Sequence, residues 1–326
     1  MLRKKRLLSF LLIVLILLVI GGIYFSICPM QCQKLKVMAR VMLKRGFYVR
    51  PELPNISGEQ ETYLFVGHPY KWHTRGDKVD ERLEVMDLKE RFDGIWLGGD
   101  VCSEALLKYT TVEYMDRVFD LKNPMTFFVM GNHDARNGNW EWLEQATGRK
   151  TYYAHYHKGV TYLVINTNLT PAHCEELDEQ YEIISNVCDT INSSSHLVVF
   201  THHGVWNNIP GLPKPTNYAH SGLEYYNFNC DDVESTFEKA IYPKLIDVHA
   251  RGVEVVCLIG DMGGNKKKVD KKCDNGIYFL GCGLNNSKYK NIFEYLKQED
   301  DLVLVFTHIP GKRSLTWDFV PLNELM

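Results

Sequence analysis

From residue 59 to the end of the chain, short apolar runs alternate with longer stretches whose apolar positions recur every three to four residues. The first kind has the length of a strand and the second that of a helix, so the pattern predicts an α/β body. Runs rich in Val, Ile, Phe and Tyr place strands at 63–66, 94–97, 125–130, 160–167, 196–201, 253–259, 277–280 and 302–306. Helical periodicity falls between them, at 78–92, 105–119, 140–146, 175–187 and 232–248, and the last two open on acidic residues that suit a helix N-terminus. Residues 203–229 fit neither pattern. They carry Pro210, Pro213 and Pro215 with several Gly, Tyr, Trp and Phe, and read either as a binding loop or lid or as a structural loop stapled by aromatics.

A different pattern governs the first fifty residues. Residues 7–28 are almost wholly apolar and carry no charge; as a helix they reach about 33 Å, enough to span a bilayer. The run is longer than the apolar core of a signal peptide, and no A-x-A cleavage pattern follows it. The expectation is an N-terminal membrane anchor over 1–28, a basic juxtamembrane segment over 29–58 and one domain over 59–326. Within 33–45, Leu35, Met38, Val41 and Met42 fall on one helical face with cations on the others. That arrangement suits a helix lying on anionic headgroups or a solvated linker helix. Four cations precede the apolar run and six follow it, so the charge rule does not orient the span.

Composition narrows the choice. A chain of 326 residues, 45% apolar and 24% charged, is neither disordered nor fibrous. Its net charge of −3 hides an asymmetry: ten of the 37 Lys and Arg, and none of the 40 Asp and Glu, lie in the first fifty residues, which leaves the body near −13. Such a body argues against a binder of nucleic-acid phosphates and is compatible with a divalent-metal site or with plain acidic surface. Of nine cysteines, Cys257 and Cys282 lie in apolar runs and read as buried thiols. Cys174, Cys188, Cys230 and Cys273 lie in polar segments where two disulfides could form, in any of three connectivities. With four N-x-S/T sequons, this leans towards an extracytoplasmic, single-pass membrane protein.

The chemistry falls directly after the strands, where open α/β sheets place their sites. The run 94–97 leads into Gly98-Gly99-Asp100, 125–130 into Gly131-Asn132-His133-Asp134, 196–201 into His202-His203, and 253–259 into Gly260-Asp261. Asp, Asn and His make a mixed oxygen and nitrogen donor set, suited to Mn, Fe or Zn. Through Gly99-Asp100, the GNHD run at 131–134 and the histidine pair, in that order, residues 60–310 resemble the calcineurin-like metallophosphoesterase superfamily. GNHD is the specific part; Gly-Asp alone carries no information. The resemblance implies a four-layer α/β/β/α sandwich of two mixed sheets, here behind a single N-terminal transmembrane helix. It also implies two divalent metal ions that share the Asp100 carboxylate, with Asn132 and His202 as further ligands, and a phosphate mono- or diester as substrate, attacked by metal-activated water. His133 would serve as general acid or electrostatic donor and Asp134 would orient it.

Two motifs depart from the family pattern. The first, D-x-H, reads Gly67-His68-Pro69-Tyr70 here, so His68 and Tyr70 stand as candidate ligands, with His73 or Asp77 as alternatives. The last, G-H-x-H, reads Gly260-Asp261-Met262-Gly263, so Asp261 stands as a ligand and Gly263 supplies none. His and Asp have in effect exchanged ends of the site. A variant hydrolase that binds metal and acts on a membrane or envelope phosphoester is the expectation, and a catalytically inactive binding module on the same fold is the open alternative. His308, in an echo of the histidine motif, comes too late in the chain and reads as structural.

Overall fold

The computed structural model describes residues 29–45, 59–71, 76–103, 105–217, 219, 222–223, 226–262, 268–284 and 300–326. The expected anchor, His73 and Gly263 lie outside the described residues. Among the described residues no helix is long and apolar enough to cross a membrane. The chain divides into two compact units, Met1–Val49 with Met326, and Arg50–Leu325. In the first, helix α1 (Pro29–Arg45) forms where the basic segment was expected. Leu35, Met42 and Leu43 are exposed on it, while Val37, half a helical turn from Leu35, is buried.

The second unit holds two mixed sheets. β1 (Glu61–Val66), β2 (Gly94–Leu97) and β3 (Phe127–Phe128) run parallel, and β10 (Leu302–Ile309) and β11 (Ser314–Pro321) complete the first sheet in the order β11-β10-β1-β2-β3. The second runs β4-β5-β6-β7-β9-β8, from β4 (Tyr153–His157), β5 (Val160–Val164), β6 (His196–Thr201), β7 (Glu254–Ile259), β8 (Val269–Lys272) and β9 (Tyr278–Gly281). Its four inner strands are parallel and its two edges antiparallel.

Side chains alternate across a strand, and here one set from each sheet meets the other. Tyr63, Phe65, Trp96, Phe127 and Phe306 pack against Tyr162, Phe200, Val256 and Leu258. Trp96 stacks on Tyr63 with ring centroids 4.8 Å apart. The opposite face of the second sheet, with Leu197, Val199, Val255 and Cys257, is covered by α6 (Cys174–Thr190) and α7 (Tyr242–Ala250) through Leu177, Ile184, Leu245 and Val248. The opposite face of the first sheet is buried as well, at Leu64, Val66, Ile95 and Leu97, and α3 (Tyr109–Phe119) buries Val112, Met115 and Phe119.

The expected strands are present with shifted ends, and β4, β8 and β11 are additions. The helix expected at 78–92 shortens to α2 (Glu81–Val85). That at 105–119 breaks at Lys108, whose backbone is extended. That at 232–248 becomes a π-helical turn, Phe237–Ile241, running into α7. Among the described residues one disulfide forms where two could, Cys174–Cys230; Cys188 and Cys273 are buried free thiols, as Cys257 and Cys282 were expected to be. Within 203–229, Trp206, Ile209, Leu212, Tyr226 and Phe228 are buried in the core beneath α6 and α7, which favours the aromatic-stapled loop.

Candidate metal centre

The parallel strands of both sheets end at one place. β1 runs into Gly67-His68, β2 into Gly98-Gly99-Asp100, β6 into His202-His203 and β7 into Gly260-Asp261; the short helix α4 (Asn132–Ala135) begins just after β3. Backbone touches backbone here. A Cβ on Gly260 would stand 1.7 Å from the Gly98 carbonyl oxygen, and one on Gly67 2.3 Å from that of Gly260, so only glycine lets the two sheets close. The residues that follow are held in left-handed backbone, His68 at φ 55° and Asp100 at φ 52°. Such a conformation costs about 1–3 kcal/mol per non-glycine residue and persists where the surroundings over-determine it.

Those turns bring most of the expected ligands together. Asp100 Oδ2 lies 3.0 Å from His68 Nε2 and 3.9 Å from His133 Nε2. His202 Nε2 lies 3.5 Å from Asp100 Oδ1, 3.2 Å from Asn132 Oδ1 and 3.9 Å from Asp261 Oδ1. Among the described residues, two buried groups have donor atoms within 4.8 Å of one another: His68 with Asp100 and Asp261, and His202 with His203 and Asp261. Tyr70 places its ring beside both His68 and His133, with centroids 4.8 and 5.2 Å away. Of the alternatives for the first motif, Asp77 is half-exposed and pairs with Lys108 at 3.7 Å. His308 lies near the end of β10, paired with Glu61 at the start of β1.

The donor set fits a cation. His202 Nδ1 donates to the Gly98 carbonyl at 2.7 Å, which leaves Nε2 as a bare nitrogen. It faces the oxygens of Asp100, Asn132 and Asp261, all acceptors, deep in the protein, and positive charge resolves that opposition. The same need shows in the proton affinities. Burial alone would lower the His202 pKa, but Asp100 and Asp261 raise it. Burial likewise would raise Asp100, yet His202, His68 and His133 hold it well below the usual carboxylate range. His203, pressed down to about 3 by burial and by His202, stays a neutral imidazole, the form that ligates metal. His133 is lowered by burial, against the pull of Asp100.

Asp134, expected to orient His133, accepts with its carboxylate the backbone N–H groups of Asp100 (2.7 Å), Val101 (3.1 Å) and Gly131 (3.0 Å), and so clamps the turn that presents Asp100. Ser103 Oγ meets His133 Nδ1 instead, at 3.0 Å. Ser103 and His203 are the residues that sequence reasoning missed. The doubled histidine at 202–203 was the available signal for the second; nothing singled out the first.

The family model for calcineurin-like phosphoesterases matches residues 72–249, more than half of the chain. The match contains Asp100, Asn132, His133, His202 and His203, and leaves out His68 and Asp261, where the motifs depart from the family pattern. No curated protein matches the chain. Solved structures to which the chain is similar include "GAP50 the anchor in the inner membrane complex of Plasmodium", 13% identical over 81% of this chain and 85% of that one, with a TM-score of 0.49. Another is a dimetal phosphatase from Danio rerio, 8% identical over 76% of this chain and 92% of that one, with a TM-score of 0.45.

Proposed function

The chain belongs to the calcineurin-like phosphoesterase family, and from that membership we propose that it hydrolyses a phosphate mono- or diester with divalent metal held at the strand ends. The observation that carries the reading is the buried meeting of the bare His202 Nε2 with the oxygens of Asp100, Asn132 and Asp261. Asn132, His202, His203 and Asp261 would hold one ion, His68 the other with Tyr70 beside it, and the Asp100 and Asp261 carboxylates would serve both. Divalent metal supplies charge neutralisation of the phosphoryl group and a water of lowered pKa, whether Mn, Fe or Zn. The protein's part is to hold those donors rigid on strand ends, to exclude bulk water by burial, and to present His133 to the leaving oxygen.

Residues 7–28 would anchor the chain in a membrane as a single pass, with the basic α1 following. The Cys174–Cys230 disulfide supports an oxidising, extracytoplasmic location for the domain. A lipid-linked or envelope phosphoester follows as the substrate class, and the body charge near −13 speaks against nucleic acid.

The test is metal content of the full chain in detergent, with hydrolysis of nitrophenyl mono- and diesters, beside Asp100→Asn. Two ions per chain and turnover that disappears in Asp100→Asn are expected. One ion or none, with no turnover by the native chain, would overturn the reading in favour of a noncatalytic binding module.

A further inference from the structure

His133 opens onto the site from α4, a helix of a single turn, and its ring is fixed from outside that turn. Ser103 Oγ lies 3.0 Å from His133 Nδ1. Arg136 Nη2 lies 2.7 Å from Ser103 Oγ and 2.7 Å from the Ser103 carbonyl oxygen. A guanidinium has only hydrogens to give, so Ser103 Oγ accepts from it. Ser103 is buried, 2% exposed, and a buried hydroxyl hydrogen needs an acceptor. Among the described residues, the acceptor beside it is His133 Nδ1. Donation there makes Nδ1 the bare nitrogen and puts the ring hydrogen on Nε2. Nε2 is the atom that faces the Asp100 carboxylate at 3.9 Å, on the side of the metal centre.

We propose that Ser103 and Arg136 are positioning residues that together hold His133 as its Nε2–H tautomer, a hydrogen donor aimed at the leaving oxygen of the phosphoester. The proposal rests on the phosphoesterase reading for its chemistry and on geometry alone for the tautomer. In the reaction the oxygen of water bonds to phosphorus and the P–O bond to the leaving group breaks. The Nε2 proton passes to the departing oxygen, and a proton of the water restores the imidazole. Without Ser103 the two tautomers would exchange freely, and the Nδ1–H form would present a lone pair where the departing oxygen needs a proton. Ser103 is itself seated tightly, since a Cβ on Gly76 would stand 2.1 Å from its own Cβ. Alanine at 103 keeps that Cβ and removes only the hydroxyl, so the packing against Gly76 is preserved.

Two measurements on the full chain test this. In ¹⁵N-histidine-labelled protein, with His133→Gln to assign the signal, His133 is expected as Nε2–H, and Ser103→Ala is expected to populate Nδ1–H. Arg136→Met, which keeps the hydroxyl but removes its donor, is expected to shift the balance in the same direction by less. In turnover, Ser103→Ala is expected to slow a phenyl ester, whose leaving oxygen needs the proton, by about 10- to 100-fold, and a 2,4-dinitrophenyl ester by no more than about threefold, with KM unchanged in both. An unchanged His133 tautomer in Ser103→Ala, or equal slowing of the two esters, would overturn the proposal. If the native chain turns over neither ester, the phosphoesterase reading fails by itself, and the tautomer measurement still decides whether Ser103 and Arg136 set the imidazole.

Discussion

Glu61 and Asp100 lie at opposite ends of the neighbouring parallel strands β1 and β2, and each is surrounded by imidazoles. Glu61 is satisfied by the protein itself. It accepts from Tyr63 Oη at 2.7 Å, pairs with Lys158 Nζ at 3.0 Å and His157 Nε2 at 3.0 Å, and has His308 Nδ1 at 3.3 Å. Burial would raise its pKa, but these donors lower it to about 2. Asp100 is surrounded by histidines in place of an ammonium and a phenol, and its neighbour His202 has already given its Nδ1 hydrogen to a backbone carbonyl. The number of histidines around a carboxylate therefore does not mark a metal site. What marks it is where the hydrogens point, and whether glycines let several strand ends crowd one volume.

The strongest way to break this comparison is to remove a carboxylate from each end. Asp261→Asn, in the centre shared by both candidate ligand groups, should lower metal affinity by roughly 100-fold or more, read as metal retained after dialysis. Glu61→Gln should leave metal content unchanged. Metal lost from Glu61→Gln would mean that the two ends are not distinct.

Stability should respond in the opposite sense. Glu61→Gln leaves Lys158 and His157 without their carboxylate and should cost about 1–3 kcal/mol in urea unfolding. In metal-free protein, Asp100→Asn removes a buried charge and places asparagine, which tolerates left-handed backbone, at φ 52°. Its stability should stay within about 1 kcal/mol of the native chain or exceed it. A large loss there would mean that the contacts of Asp100 with the His133 N–H and with His68 stabilise the fold by more than its buried charge costs.

Acid gives the smallest and most graded test. Burial lowers the pKa of His308 and of His196, against the pull of Glu61 and Glu254 respectively. The unfolded chain binds protons at these groups first, so stability falls as pH drops through about 6.5. Glu61 is depressed as well; its contribution is complete above about 4.3, the unfolded value, and is lost as pH falls towards 2. Unfolding midpoints between pH 8 and 5 should decline in the native chain and flatten in a His308→Asn variant.

Much of the candidate metal centre was legible because the residues it gathers follow strands and glycines, as at Gly99-Asp100 and in the GNHD run. Ser103 was invisible because its role depends on Arg136 and His133, which reach it only once α4 has folded. The edge strands β4 and β8 escaped because their sequences, YAHYH and VDKK, lack the apolar runs that mark inner strands. The helix at 232–248 was legible in position but not in form. Pro243, lacking an N–H, sits in the first turn of α7, and a π-helical turn fills the space before it.

The contact between Gly98 and Gly260 also fixes a length. Asp100 belongs to one sheet, and His202, His203 and Asp261 to the other, so the separation of the candidate ligand sets is the separation of the sheets at that point. A stack of side chains would let this distance drift whenever the aromatic core between Trp96 and Phe200 was rebuilt. Bare backbone on bare backbone does not compress. The interior can change its packing over many substitutions while the gap between the ligand sets stays where two peptide units put it.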